Sequence, residues 1–160
     1  MWYTSYVDTL IIFTAKYLIW IEVAVFVGYF FLARRRTKRK LLLLSVISLP
    51  LAYVVGWLAG ILYYNPLPFV ESGTAPLFAH VANNGFPSDH VLFAATLAML
   101  VLFFDRRLGV VLWILALSIG GARVVAQVHH SVDIIGAAAI AASTVWLLRL
   151  CVQRRLWYRG

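Results

Sequence analysis

Apolar residues fill long unbroken stretches of this chain, and polar residues gather in the short segments between them. A stretch of about 18 apolar residues is enough to cross a bilayer as a helix. Four stretches reach or approach that length and a fifth is somewhat shorter, which predicts spans over Leu10–Leu32, Leu41–Tyr64, Ser88–Phe104, Leu108–Val128 and Val132–Leu150. The third is short: about 17 residues at about 1.5 Å of rise each cover about 25 Å, against a hydrocarbon core of about 30 Å. Its outer end is expected below the membrane surface, where a site meets a lipid headgroup better than a soluble substrate.

Composition agrees with this pattern. Over 160 residues the chain is 63% hydrophobic and 12% charged, more apolar surface than a soluble fold hides. The expected fold class is an all-α polytopic transmembrane bundle of about five spans, with residues 1–160 forming a single integral membrane domain. Small residues at Gly56 and Gly60, Gly120 to Ala122 and Gly136 to Ala142 predict close helix packing. The N-terminus lacks a positive leader, so the first apolar run is expected to stay in the mature protein. Cys151 is the only cysteine, which excludes an intramolecular disulfide.

A net charge of +8 raises the question of nucleic acid, but the cations do not form a basic groove. They lie in blocks between apolar runs: Arg34 to Lys40 after the first, Arg106 and Arg107 after the third, and Arg149, Arg154, Arg155 and Arg159 near the end. Five crossings put these blocks on one side, as the positive-inside rule demands, leaving only Lys16 and Arg123 elsewhere. The N-terminus and the 65–89 segment are then extracytoplasmic and the C-terminus cytoplasmic. All four histidines, His80, His90, His129 and His130, fall on or toward the extracytoplasmic side.

Two segments there carry the candidate chemistry. In Phe86-Pro87-Ser88-Asp89-His90, Ser88 and Asp89 are good N-cap residues, and a helix opening at Ser88 presents free N–H groups and a positive dipole end to an anion. In Arg123 to Asp133, His129 and Asp133 are four apart and share a helix face, so the carboxylate can orient the imidazole. Arg123 and His129 are six apart, off-face on one helix, so the chain must turn between them. Histidine serves as nucleophile or general acid near neutral pH. A buried Arg or Asp in a membrane is a functional candidate by default.

The two segments resemble the second and third signatures of the type 2 phosphatidic acid phosphatase superfamily, Pro-Ser-Gly-His and Ser-Arg, five residues, His, three residues, Asp. The resemblance covers a core from about residue 56 to 150. It implies a metal-free, cofactor-free phosphatase of the inner membrane acting on a membrane lipid phosphate. His129 would be the nucleophile, Asp133 its orienting group and His90 the general acid. Arg123 and Ser88, with Asp89 at the same helix start, would bind phosphate. Asp89 in the glycine position resembles the branch that dephosphorylates undecaprenyl diphosphate in cell wall synthesis.

The first signature, Lys, six residues, Arg-Pro, is not matched. Its lysine position is Leu58 or Gly60 and its arginine position Asn65 or Leu67. Lys16, shallow in the first span, reads as snorkelling or pairing with Asp8, or as a replacement for that lysine. His80 reads as a surface histidine, Pro76–Asn84 as a short interfacial helix, and Glu22 as a mid-membrane carboxyl paired within the bundle. The alternative to an enzyme is a lipid-binding or scaffold protein that keeps the fold.

Overall fold

The computed structural model describes residues 5–156, with side chains through Val152. Its helices are α1 (Tyr6–Leu32), α2 (Arg35–Leu62), α3 (Pro68–Ser72), α4 (Asp89–Leu102), α5 (Arg106–Val125) and α6 (Ser131–Leu156). The shortest long helix, α4, is the axis of the bundle. Ten of its 14 residues are buried, among them every residue from Ala94 to Val101. The helices α1, α2, α5 and α6 all pack on it. Alanines at 94, 95 and 98 let neighbours approach closely, and Ile119, Ile134 and Leu112 fill the space around them.

The four surrounding helices are each long and apolar enough to cross a membrane. Their outer faces carry Trp20, Trp57, Ile61, Ile114, Ile135 and Leu147, all exposed on the bundle surface, as lipid-facing positions are. At about 1.5 Å per residue, α4 is about 21 Å long, even shorter than its sequence suggests. The protein is an integral membrane helical bundle of five spans, with α3 lying in the connection between α2 and α4.

The topology separates two ends. The Ala33–Arg34 hinge, the α4–α5 turn and the C-terminal end of α6 lie at one, and the connections 63–88 and 126–130 at the other. The basic blocks thus share an end opposite the histidines. Arg159 and the side chains of Arg154 and Arg155 lie outside what the structure describes.

Several boundaries differ from expectation. The block Arg35 to Lys40 is the opening of α2 and not a loop, because two extended residues, Ala33 and Arg34, suffice to reverse the chain. No helix forms over Pro76–Asn84; the short helix is instead α3, started by Pro68 at its first position, where a missing N–H costs nothing. The fourth span ends at Val125, three residues early. Glu22 is fully buried, but neither carboxylate oxygen has a hydrogen-bond partner among the described residues. The pairing within the bundle that the sequence predicts is therefore not found among the described residues.

Candidate active site

The early end of α5 creates the site. Val128 N–H donates to Arg123 O at 3.1 Å and Gln127 N–H to Val124 O at 3.0 Å, the paired bonds of a Schellman motif. Gln127 takes the left-handed position at φ 64°, where glycine is usual. This tight reversal brings Arg123, in the last turn of α5, back onto His129, just before α6. Arg123 Nη2 lies 3.3 Å from His129 Nε2.

The partners of His129 assign its tautomer. Its Nδ1 is 3.3 Å from Asp133 Oδ2, which can only accept, so Nδ1 carries the hydrogen. Arg123 can only donate, so Nε2 presents a lone pair. Both residues are buried, His129 at 5% exposure and Asp133 at 0%. Asp133 Oδ2 also accepts from the His130 N–H at 2.8 Å, and Oδ1 accepts from Asn65 Nδ2 at 2.7 Å. These donors satisfy the carboxylate and fix its orientation, and with it the imidazole.

Arg123 is 3% exposed and, among the described residues, bonded to no carboxylate. Nη1 donates to Ala15 O at 3.3 Å, Nη2 faces two imidazole nitrogens, and Nε has no partner among the described residues. A guanidinium with spare donors beside a cavity is an anion-binding group. The cavity, about 360 Å³, is lined by His80, Asn83, Asp89, His90, Arg123 and His129 among others. His90, in the first turn of α4, is thus brought into the same space as His129. Ser88 is the N-cap of α4 but makes no side-chain capping bond. Its Oγ is fully buried without a partner among the described residues, and Ser88 is not among the residues lining the cavity. Asp89 is exposed and lines the cavity, and a carboxylate oxygen offers no donor to an anion, which leaves its backbone N–H as the group that could serve one.

Lys16 does not line the cavity. Its Nζ sits 5.6 Å from the Tyr17 ring centre and 5.5 Å from that of Phe78, while Asp8 is taken up by the capping box with Ser5. His130 points away, 3.2 Å from Glu71 Oε2 without hydrogen-bond geometry.

His80 is no surface histidine. Its Nε2 is 2.9 Å from Arg123 Nη2, and its ring stands edge-on to His129 with centres 5.9 Å apart. Burial holds its pKa below the ordinary histidine range; the Val81 carbonyl opposes this, and Arg123 and His129 add to it. The 65–85 connection supplies two further groups that motif spacing does not reveal, Asn65 and Asn84. Asn84 Oδ1 accepts from the N–H groups of Asn65 and Phe86 at 2.9 and 3.1 Å, and its Nδ2 donates to Gly60 O at 2.8 Å. It thereby ties a free carbonyl at the end of α2 to the segment entering α4. Gly85 must stay small, since a Cβ there would lie 2.9 Å from Asp133 Oδ2.

A membrane-embedded helical bundle with a polar histidine and arginine cluster at one end of its central helix is the class that this fold and site define. The chain belongs to the PAP2 superfamily, whose profile matches residues 42–157. It is 26% identical over 139 residues to undecaprenyl-diphosphatase BcrC of Bacillus subtilis, covering 87% of this chain and 72% of that protein. It is 30% identical over 132 residues to putative undecaprenyl-diphosphatase YbjG of Escherichia coli, covering 76% of this chain and 67% of that protein. Its fold is similar to that of Aquifex aeolicus LpxE, with a TM-score of 0.67 at 21% identity over 88% of this chain and 84% of that one. A PAP2 type phosphatidylglycerolphosphate phosphatase from Bacillus subtilis gives 0.61 at 17% identity over 96% and 80%.

Proposed function

We propose that this protein is a lipid phosphatase that hydrolyses a polyprenyl diphosphate of the undecaprenyl class, or a related lipid phosphate, at the extracytoplasmic face. His129 Nε2 attacks the terminal phosphorus while the bond to the leaving lipid oxygen breaks, and His90 protonates that oxygen. Water then attacks the phosphohistidine, giving its proton to His90, and inorganic phosphate and His129 are released. Arg123 and the N–H groups opening α4 hold the phosphoryl oxygens, and Asp133 stabilises the cationic ring.

The observation that carries this reading is the fixed tautomer of His129, its Nε2 lone pair held beside a buried arginine to which no carboxylate is bonded among the described residues. The names of the relatives support the lipid class, and the shared end of the basic blocks supports the sidedness. One observation favours the scaffold alternative: Leu67 is fully buried and Asn65 is committed to Asp133, so neither supplies a cation. Phosphate release from undecaprenyl diphosphate by purified protein decides between them. The expected result is turnover that His129→Ala abolishes; lipid binding without turnover would establish the scaffold.

A further inference from the structure

The 73–84 segment carries one imidazole into the cavity, and its hydrogen bonds settle which nitrogen faces the phosphoryl site. His80 Nδ1 lies 3.0 Å from Val81 O. A carbonyl only accepts, so Nδ1 bears the hydrogen and Nε2 a lone pair, directed at Arg123 Nη2 at 2.9 Å. His80 and His129 therefore flank the same guanidinium nitrogen, each through Nε2. A phosphorus within reach of His129 Nε2 and held by Arg123 brings one of its oxygens within reach of His80 Nε2.

We propose that His80 is a phosphoryl-binding side chain of this site, recognising the singly protonated terminal phosphate of the substrate by sharing its proton through Nε2. The proposal rests on the phosphatase reading and adds to it a preferred ionisation state of the substrate. A neutral Nε2 repels a fully ionised phosphate but accepts from a P–OH. Moving the proton from that oxygen to the ring leaves an imidazolium facing a more negative phosphoryl group, and no proton is gained or lost overall. The second ionisation of a phosphate ester lies near 6, so the protonated form is present around neutral pH. The imidazolium so formed supplies a second positive charge beside Arg123, where the first-signature positions carry none.

The charged and titratable groups facing His80 are Arg123 from α5, His129 ahead of α6, and His90 and Asp89 from α4. Phe69 of α3 and Phe78 pack on its ring, Lys16 of α1 lies beyond Phe78, and Glu71 is engaged with His130. Among the described residues no carboxylate bonds His80, so the P–OH of the ligand is the proton donor that the proposal places beside it. Burial, which lowers the pKa of the unliganded ring, agrees with this.

The test is calorimetric binding of inorganic phosphate to the full chain in detergent between pH 5.5 and 8.5. Wild type should bind more weakly as pH rises and the phosphate loses its proton. His80→Ala should bind about ten- to hundredfold more weakly at pH 6, the range for a lost hydrogen bond to a charged group, and lose the pH trend. His80→Lys, with a permanent proton, should recover affinity at pH 8. Size-exclusion elution matching wild type verifies the fold of each variant. Phosphate affinity within twofold of wild type in His80→Ala, an unchanged pH trend, or wild type that binds no phosphate would overturn the proposal. Wild type that binds phosphate with this dependence but hydrolyses no lipid phosphate would overturn the phosphatase reading alone.

Discussion

Asn65 donates from Nδ2 to Asp133 Oδ1 at 2.7 Å, joining residues 68 apart in the chain. With the His130 N–H on the other oxygen, it holds the carboxylate so that only one direction is left for His129 Nδ1. Asn65, one of the two positions (with Leu67) that could align with the arginine of the superfamily's first signature, thus bonds the carboxylate that orients the imidazole.

Asn65→Ala should lower kcat with little change in KM, because it loosens Asp133 and contacts no phosphoryl oxygen. A buried hydrogen bond to a charged group is worth about 1.5–3 kcal/mol, or roughly ten- to hundredfold in rate. Asn65→Asp should be worse, placing like charges at hydrogen-bond distance. Steady-state kinetics on a lipid diphosphate checks both, and a KM effect alone would show that Asn65 contacts substrate.

His129→Ala should abolish phosphoenzyme formation in acid-quenched, radiolabelled reactions. His130→Ala should retain most activity, because its ring faces Glu71 outside the cavity and only its backbone N–H serves Asp133. Asp133→Asn should keep the geometry and cost several orders of magnitude in rate, since it no longer favours the cationic ring. A dead His130→Ala beside an active His129→Ala would assign the roles the other way.

Gln127 sits at φ 64° in the turn that returns Arg123 to His129. Gln127→Gly removes a Cβ penalty of about 1 kcal/mol and should raise thermal stability slightly with activity kept. Gln127→Val, β-branched at a left-handed position, should destabilise the protein and lower activity together. Thermal unfolding in detergent alongside kcat checks both, and a tolerated valine would mean that the turn does not position Arg123.

An impermeant thiol reagent on intact cells should label cysteines placed at 70–85, and reach cysteines at 34–40 only after lysis. These positions lie at opposite ends of the bundle, and the basic residues opening α2 favour the cytoplasmic side. Equal labelling of both sets would refute the orientation.

Much of this was legible in the sequence. Apolar blocks report solvent partition, a local property, so all five spans and the separation of basic blocks from histidines are readable without any contact. The His129 and Asp133 pairing is readable too, because four residues make one helical turn, and Ser88 is marked as a cap by its place before an apolar run. Only the tertiary structure decided the rest of the site. Asn65, His80 and Asn84 lie in a connection rich in Pro, Asn and Gly with no periodicity, where the path follows from closing the chain between α2 and α4. Their partners, Asp133, Arg123 and Gly60, belong to other segments. Spacing along the sequence reports what one turn of helix brings together; which loop side chain reaches a buried arginine 43 residues away is fixed by how the helix ends pack.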